Sequence, residues 1–450
     1  MPLTAAEQYL LELINRTRLD PVGEAARSGV DLNAGLTPNQ LGTQTRQVLA
    51  ANSLLENAAI AHSQWMLATD IFSHTGSGGS SPGTRATSAG YTWSTVGENI
   101  AVQGSTGAID LVAAIGQQHK ALFISAGHRV NLLFDSFKEV GIAQEQGIFT
   151  QSGNNYNASM VTELFGTSGS KTFLTGVQYR DTDGDNFYSV GEGRGGVSFG
   201  AQGLSTVSEA NGGYALGLTA SNAVNVTGMI GKGAYSITLD MSLGNVKLDL
   251  RNGNTFVTSG SVTLNTGPVA VELLGGNALS ATGNASDNKL TGNFGANLLN
   301  GMDGNDSISG GAGNDRIIGG IGLDTLMGDL GDDVMQGNDG DDQIFGGGGL
   351  DRLNGGFGND LLSGGLGTDT FIFGAASGSD VVTDFSVSEA DNIIFGSKLW
   401  GTAQLTEAEV VAQFAQVIAG NVVFDFGGGN TLQVNGLTTL TGLENSFSII

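Results

Sequence analysis

The chain has 450 residues, a length that predicts several domains. It carries 43 Asp and Glu against 18 Lys and Arg, a formal net charge of -25, which disfavours nucleic acid and anionic membranes as partners and favours cations. The absence of cysteine excludes disulfides and thiolate metal sites. No apolar run is long enough for a transmembrane helix. The N-terminal stretch MPLTAAEQYL lacks the features of a cleavable signal peptide, so we expect any export signal elsewhere.

Residues 1–166 hold all four histidines and are predicted to form the first domain. Capping boxes at Thr4–Glu7 and Ser53–Glu56 predict two helix starts, and a third helix is expected within 107–124. Residues 140–166 alternate apolar and polar side chains around a Gly/Asn turn, which indicates a hairpin. This domain is therefore predicted to be α+β.

Residues 167–274 contain short β-like runs between Gly and Asn turns, and they predict a β-sandwich. The stretch DTDGDNFYSVGE places carboxylates at positions 1, 3, 5 and 12 of an EF-hand-like loop. Position 6 is Asn186 rather than Gly, and no helices flank the loop, so a solvated acidic turn remains the alternative to a Ca²⁺ site. The loop and the nearby GGYAL resemble bacterial surface B-type β-sandwich repeats, which implies calcium binding. The predicted ligands are Asp181, Asp183, Asp185 and Glu192.

Residues 275–375 are predicted to form a repeat domain, because a nine-residue unit such as GGAGNDRII recurs in phase from 283 to 374. Its glycines allow sharp turns, and each short carboxylate stays near its own backbone, so every turn is an oxygen-lined cup suited to Ca²⁺. If one unit makes half a coil, the same side returns every 18 residues. The apolar residue two positions after each aspartate is expected to point inward. The predicted calcium ligands are Asp306, Asp315, Asp324, Asp333, Asp342, Asp351, Asp360 and Asp369.

These units resemble the repeats-in-toxin (RTX, hemolysin-type) nonapeptide GGxGxDxUx. The resemblance implies a right-handed parallel β-roll that folds on binding calcium. It also implies a secreted protein of a Gram-negative bacterium, exported by type I secretion machinery that reads an uncleaved C-terminal signal. Asn288 and Asn297 replace Asp in the first two units and are doubtful ligands. Residues 376–450 are expected to cap the roll and carry the signal, with a helix from Thr406 whose apolar face includes Val417 and Ile418.

Four motifs in the first domain resemble the CAP superfamily (cysteine-rich secretory proteins, antigen 5 and pathogenesis-related proteins) in a cysteine-free form: SHTG, GENIA, QQHKALF and AGHRVNLL. The resemblance implies an α-β-α sandwich with a cleft lined by two His and two Glu. It assigns His74, Glu98 and His128 to that cleft. The second acid is missing, and His119 is the candidate for its place. His62 is expected to be a packed core residue.

Imidazoles and carboxylates that converge in a cleft can bind a divalent metal such as Zn²⁺, or act as a base and its orienting group. The favoured function is a secreted calcium-binding protein whose CAP domain is an extracellular ligand- or surface-interaction module without catalysis. The alternatives are a peptidase-like hydrolase that uses the cleft, and an adhesin or surface-layer component. The chain has no HExxH motif, and its GxSxG match at Gly79–Gly83 lacks the strand-turn-helix context of a nucleophile.

Overall fold

The structure is a computed structural model that describes residues 2–450. The chain divides into two compact units, one ending at Gly260 and one spanning Ser261–Ile450. Within residues 2–450, no helix is both long enough and apolar enough to cross a membrane.

The N-terminal region, up to Thr167, is a three-layer α/β structure. Its sheet has the strand order β1-β3-β4-β2, in which β3 and β4 form the predicted antiparallel hairpin. Its elements are α1 (Ala5–Leu19), α2 (Pro21–Ser28), β1 (Ala50–Ala51), α3 (Ser53–Thr69), α4 (Pro82–Ser88), β2 (Thr95–Ser105), α5 (Leu111–Ile124), α6 (Ala126–Leu132), β3 (Glu139–Gln151) and β4 (Asn154–Thr167).

Helices cover both faces of this sheet because the side chains of a strand alternate between its faces. Val161 and Phe165 of β4 pack with α1, α5 and α6, whereas Leu164 packs with α3 and α4 on the opposite face. The predicted α-β-α arrangement is confirmed. The capping box at Thr4 is also confirmed, but α3 is capped by Asn52, whose side chain accepts the N–H groups of Leu54 and Leu55, and not by Ser53.

The middle region contains four neighbouring strands in each of two facing sheets, in the orders β12-β11-β5-β8 and β10-β9-β6-β7. Phe199 of β6 stacks on Tyr214 of β8, and Tyr235 of β10 contacts Phe256 of β12, so aromatic rings fill the space between the sheets. The strands are β5 (Thr172–Tyr179), β6 (Ser198–Ala201), β7 (Leu204–Val207), β8 (Gly213–Leu218), β9 (Ala223–Ile230), β10 (Gly233–Asp240), β11 (Val246–Arg251) and β12 (Thr255–Thr258).

The second unit is a parallel β-roll, in which successive strands alternate between two sheets and pair with the strand one full coil away. The parallel stacking begins at β13, ahead of the predicted start at residue 275. The strands are β13 (Val262–Thr266), β14 (Ala270–Leu273), β15 (Ser280–Thr282), β16 (Lys289–Thr291), β17 (Leu298–Asp303), β18 (Ser307–Ser309), β19 (Arg316–Ile321), β20 (Thr325–Leu330), β21 (Val334–Asp339), β22 (Gln343–Gly348), β23 (Arg352–Phe357), β24 (Leu361–Leu366), β25 (Thr370–Phe373), β26 (Ser379–Val382) and β27 (Asn392–Phe395).

The last part of the chain covers the end of the roll and also extends its sheets. Strands β26 and β27 continue parallel into β30 and β31, while β28 and β29 form an antiparallel hairpin beside β30. The helix capped by Thr406 is confirmed, but it ends at Phe414, so Val417 and Ile418 lie exposed on β28 instead of on a helix face. The elements are α7 (Glu407–Phe414), β28 (Ala415–Ile418), β29 (Asn421–Gly427), β30 (Asn430–Val434) and β31 (Phe447–Ile449).

Candidate functional site

The aspartates of the roll form two columns, one on each side of the coil. In each column, Oδ1 of an aspartate accepts the backbone N–H of the residue 18 positions earlier; Asp324 accepts from Asp306 and Asp333 accepts from Asp315, at 2.8 and 2.7 Å. The 18-residue return expected from the sequence is therefore present in the hydrogen bonding. The columns are Asp306, Asp324, Asp342 and Asp360 on one side and Asp315, Asp333, Asp351 and Asp369 on the other.

The second carboxylate oxygen of each of these eight aspartates is buried and has no hydrogen-bond partner in the described part of the chain, residues 2–450. The residues are at most 2 % exposed. Burial raises the pKa of Asp333 and Asp342 to about 7, well above the usual range of a carboxyl group. A buried oxygen without a partner is costly for the folded state, and a bound cation would remove that cost.

Glycine carbonyls lie beside these oxygens. At Gly310 a Cβ atom would lie 2.7 Å from the carbonyl oxygen of Gly328 and would collide with Oδ2 of Asp315, so only glycine fits there. The same relation holds at Gly319, where a Cβ atom would lie 2.8 Å from Gly337 O. Carboxylate and carbonyl oxygens together are the ligands that Ca²⁺ takes in proteins. The residues present therefore fit calcium ions at the aspartate turns.

The two asparagines at the start of the columns differ from the aspartates. The side-chain oxygen of Asn288 accepts the N–H of Asn284 at 2.7 Å, and that of Asn297 accepts the N–H of Asn293 at 2.8 Å. In the asparagine turns a backbone N–H thus satisfies the side-chain oxygen whose counterpart in the aspartate turns has no partner among the described residues. Both side chains are uncharged and already hydrogen-bonded, so these two turns offer no open carboxylate to a cation.

The core of the roll is a thin double row of apolar side chains, each two residues after a column position. All are at most 2 % exposed, as the sequence predicts. Successive core residues alternate between the two sheets. Each carboxylate-bearing turn lies only two residues before a packed core residue in the sequence. The residues are Leu290, Leu299, Ile308, Ile317, Leu326, Met335, Ile344, Leu353, Leu362 and Phe371.

The acidic loop of the middle region brings three of its four predicted ligands together. One carboxylate oxygen each of Asp181, Asp183 and Asp185 lies within 4.8 Å of the others. Glu192 does not join them, because its Oε1 accepts the N–H of Thr182 and its Oε2 accepts the N–H of Ser189, at 2.5 and 2.9 Å. Its carboxylate thus holds the loop backbone, and its role as a Ca²⁺ ligand stays a prediction.

In the N-terminal region, Glu98 of β2 is the centre of a charged cluster. Its Oε1 lies 2.9 Å from Nδ1 of His74, and its Oε2 accepts a hydrogen bond from Nη2 of Arg85 at 2.5 Å. The Glu98 side chain is 1 % exposed, whereas that of His74 is 50 % exposed. Both oxygens of Glu98 are therefore occupied by side chains of the protein, and His74 presents the outer edge of its ring to solvent.

His128 completes the site, with its ring centroid 6.3 Å from that of His74. Its Nδ1 lies 2.8 Å from Oγ of Ser125. Each of the two rings therefore has its Nδ1 held, and within residues 2–450 its Nε2 has no hydrogen-bond partner. His62 lies on the inner side of the cluster, 3.8 Å from Glu98 and 3.0 Å from the carbonyl of Ser73. Burial lowers the pKa of His62 and of His128, which favours neutral rings.

His119 lies elsewhere. Its Nε2 is 3.1 Å from Oγ1 of Thr17 and 3.6 Å from Oε1 of Glu24, so it pairs with a carboxylate of α2. The expectation that it replaces the missing second acid of the cleft is corrected, because this face of α5 packs on α1 and α2. A buried carboxyl that sequence reasoning missed is Glu163 of β4, which accepts the Nδ2–H of Asn99 at 3.0 Å.

Two sequence-family matches cover the parts of the chain that carry these sites. Residues 11–157 match the cysteine-rich secretory protein family (CAP), and residues 282–317, 318–353 and 345–379 match the RTX calcium-binding nonapeptide repeat. The chain carries a CAP domain and RTX calcium-binding repeats. The RTX repeats imply Ca²⁺ binding and a secreted, extracellular protein exported by type I secretion. Neither match extends into residues 158–281, so the B-type resemblance of the middle region stays a prediction.

No curated protein matches the chain. Similar solved structures include an SCP-domain extracellular protein from Bacillus anthracis str. Ames, with 23 % identity and a TM-score of 0.23, covering 37 % of this chain and 45 % of that one. An outer surface protein from Borrelia burgdorferi has 15 % identity and a TM-score of 0.25, covering 38 % and 97 %. An extracellular lipase from Serratia marcescens has 18 % identity and a TM-score of 0.20, covering 39 % and 40 %. The chain thus spans less than half the length of the first and third of these proteins.

Arg85 and His62 are the residues of the CAP cleft that the motifs did not indicate. Arg85 lies within the short helix α4, where an isolated base carries no spacing signal. His62 lies on the inner face of α3, as predicted, but that face is adjacent to Glu98. Both contacts depend on how α3 and α4 pack on the sheet, which no local pattern encodes.

Proposed function

We propose that this protein is an extracellular calcium-binding protein in which the RTX roll folds on calcium after export and the CAP domain is a ligand- or surface-interaction module. The observation that carries the first half is the set of eight buried carboxylate oxygens without partners, in register along two columns. Calcium supplies the positive charge that these oxygens need. Because metal-free stacked carboxylates repel one another, ion binding and folding of the roll are one event.

Calcium titration of the full chain, followed by circular dichroism, tests this proposal. We expect a cooperative gain of β-structure at roughly 0.1–1 mM calcium, the range of extracellular modules. The variant Asp342→Asn should shift the midpoint to at least about tenfold higher calcium, since even indirect ligand partners are worth that much. Asp341→Asn is the matched control, because Asp341 is exposed and its Oδ1 only accepts groups of Asn359. A β-signal that is the same in chelator would refute coupled folding.

Export explains why a calcium-dependent fold suits this chain. Cytosolic calcium is too low to fill sites in the millimolar range, so the roll would remain unfolded inside the cell and fold outside. We propose a Gram-negative source, type I machinery and a signal within residues 401–450. Deleting these residues should retain the protein in the cell, and secretion at the wild-type level would contradict this part of the proposal.

For the CAP cleft we propose a binding role that uses the two exposed-edge imidazoles. Nδ1 of His74 is held by Glu98 and Nδ1 of His128 by Ser125, which leaves both Nε2 atoms free for a ligand or for a divalent metal such as Zn²⁺. Glu98 serves as the orienting group, because Arg85 already neutralises its carboxylate. Metal analysis of the purified full chain and of His128→Ala tests the metal; bound metal that survives this substitution would overturn the assignment.

A second function, hydrolysis, is favoured by the His74–Glu98 pair. A carboxylate at 2.9 Å from Nδ1 orients an imidazole as a general base whose Nε2 faces solvent. A peptide and ester substrate screen with wild type, His74→Ala and Glu98→Gln separates this function from binding. Activity that is lost in both variants establishes the enzyme, and no activity in wild type supports the binding module.

We also propose Ca²⁺ at Asp181, Asp183 and Asp185 of the middle region. Three carboxylates within 4.8 Å of one another, on a loop that Glu192 braces, support it. Asn186 takes the left-handed conformation, with φ at 60°, that position 6 of such a loop requires, so the departure from Gly leaves the turn intact. Loss of one bound calcium in Asp183→Asn, with the roll unchanged, is the expected result; an unchanged count contradicts this site.

A further inference from the structure

The two aspartate columns continue past the last nine-residue unit. The N–H of Asp360 donates to Oδ1 of Asp380 at 3.0 Å, and the N–H of Asp369 donates to Oδ1 of Asp391 at 2.9 Å. The core below stays in register, with Leu362 paired to Val382. The nine-residue phase ends before these positions, since Asp380 and Asp391 lie 20 and 22 residues after their column neighbours instead of 18. Only the fold aligns them with the repeats.

The second oxygen distinguishes the two residues. Oδ2 of Asp391 accepts the N–H of Ser386 at 2.8 Å, just as the oxygens of Asn288 and Asn297 accept backbone N–H groups near them in sequence. The Asp380 carboxylate receives only the N–H of Asp360; within residues 2–450 no second hydrogen bond reaches it. We call a turn closed when a backbone N–H satisfies the second side-chain oxygen, and open when none does. The column of Asp391 therefore ends in a closed turn and the column of Asp380 in an open turn.

Asp380 shares the burial and the acidic neighbours of the repeat aspartates, although its own Oδ2 is not one of the fully buried oxygens. Asp380 is 2 % exposed, and Oδ2 of its column neighbour Asp360 is buried without a partner. The charges of Asp360 and Asp341 act on Asp380, so acidic groups converge at this end of the column with no base to balance them. A cation is the partner that would satisfy these oxygens.

We propose that Asp380 is a further Ca²⁺ ligand, which extends the ion-binding column by one turn beyond the repeats on one side of the coil only. This inference rests on the proposed calcium occupancy of the repeat aspartates. Asp391 and the asparagines at 288 and 297 close their turns with the chain's own amides and hold no ion. At the C-terminal side of the roll, the calcium-binding part thus extends one turn further in the column of Asp380 than in the column of Asp391.

Counting bound calcium in the full chain tests the proposal. Native mass spectrometry at saturating calcium, on the folded charge-state distribution, compares wild type with Asp380→Asn and with Asp391→Asn as the matched control. Asparagine occupies column positions 288 and 297 in this fold, so the coil tolerates it. We expect one calcium fewer in Asp380→Asn and an unchanged count in Asp391→Asn. Amide exchange of residues 379–382 gives a second readout, with midpoint calcium at least about tenfold higher in Asp380→Asn.

The outcomes separate this inference from the proposed function. If wild type binds no calcium in the roll, the proposed function fails and takes the inference with it. If wild type binds calcium and Asp380→Asn keeps the same count and the same exchange midpoint, only the inference is overturned. An equal loss in Asp391→Asn also overturns it, because the closed turn would then bind as well. If Asp380→Asn yields no folded population, the exchange midpoint of Asp380→Glu decides: a wild-type value overturns the inference, and a raised value supports it.

Discussion

The CAP cleft and the RTX roll handle buried acidic groups in opposite ways. In the cleft, both oxygens of Glu98 are bonded to side chains of the protein, His74 and Arg85. In the roll, each repeat aspartate has one oxygen bonded to a backbone N–H of the preceding coil and one with no hydrogen-bond partner within residues 2–450. The cleft is therefore complete with protein groups alone, whereas the roll lacks a positive charge at every turn. The first unit should fold without an ion, and the second should not.

Removing calcium should produce a larger difference in stability between the two units than any substitution. In chelator, amides of residues 307–366 should lose at least about 100-fold of their protection against exchange, about 2.7 kcal/mol, because ligand at about 100 times its Kd stabilises by that amount. Amides of β3 and β4 in the CAP domain should keep theirs. Amide exchange of the full chain with mass spectrometry measures both at once. Loss of protection in both units would show that the two units do not differ in their need for calcium.

The thin core of the roll should be sensitive to a single cavity even at saturating calcium. Ile344 is fully buried, so Ile344→Ala should destabilise the roll by about 2–5 kcal/mol. Leu366 is 74 % exposed, so Leu366→Ala should stay within about 0.5 kcal/mol of wild type and serves as the control. Urea unfolding followed by circular dichroism measures both; a small effect at Ile344 would mean that ions alone hold the coil.

In the CAP domain, we expect the free energy of unfolding to depend on pH through the titration of a buried carboxyl group, and not on calcium. Burial raises the pKa of Glu163 to about 7, from an ordinary value of 4.5. The protonated form therefore stabilises the fold, and this contribution is complete below pH 4.5 and is lost as pH rises through about 7. We expect wild type to lose up to about 3 kcal/mol between these values relative to Glu163→Gln.

Urea unfolding followed by Trp65 and Trp93 fluorescence in a Trp400→Phe background gives this measurement for the first unit. Glu163→Gln is its own control, since a neutral amide keeps the shape and the acceptor for Asn99. Parallel pH profiles in the two proteins would show that Glu163 does not titrate in this range.

The smallest effect is expected at the first helix cap. Thr4 Oγ1 accepts the N–H of Glu7 at 3.2 Å, so Thr4→Ala should cost the CAP domain about 1 kcal/mol and leave the calcium midpoint of the roll unchanged. Thr37→Ala, at an exposed threonine, is the control and should have no measurable effect. A shift of the calcium midpoint in Thr4→Ala would show that the two units are energetically coupled.

Sequence reasoning was most accurate where contacts follow from a regular period in the sequence. A nine-residue period places each aspartate beside its neighbour 18 residues away, so the columns and the inward-facing residues could be read directly from the repeat. It was less accurate where position depends on distant elements. Arg85 beside Glu98 and His119 beside Glu24 each depend on how helices pack.

The sequence by itself determined the coil of the roll, because glycine, aspartate and an apolar residue in strict phase allow one coil geometry. The CAP domain was indicated by the resemblance of four motifs. The tertiary structure alone decided which acidic groups are left open. That depends on whether a backbone N–H comes within reach of the second oxygen, as Ser386 does for Asp391 and as no amide in residues 2–450 does for Asp380. Hydrogen-bond reach is set by three-dimensional turn geometry: the turn is closed at Asp391, 22 residues after its column neighbour, and open at Asp380, 20 residues after its own.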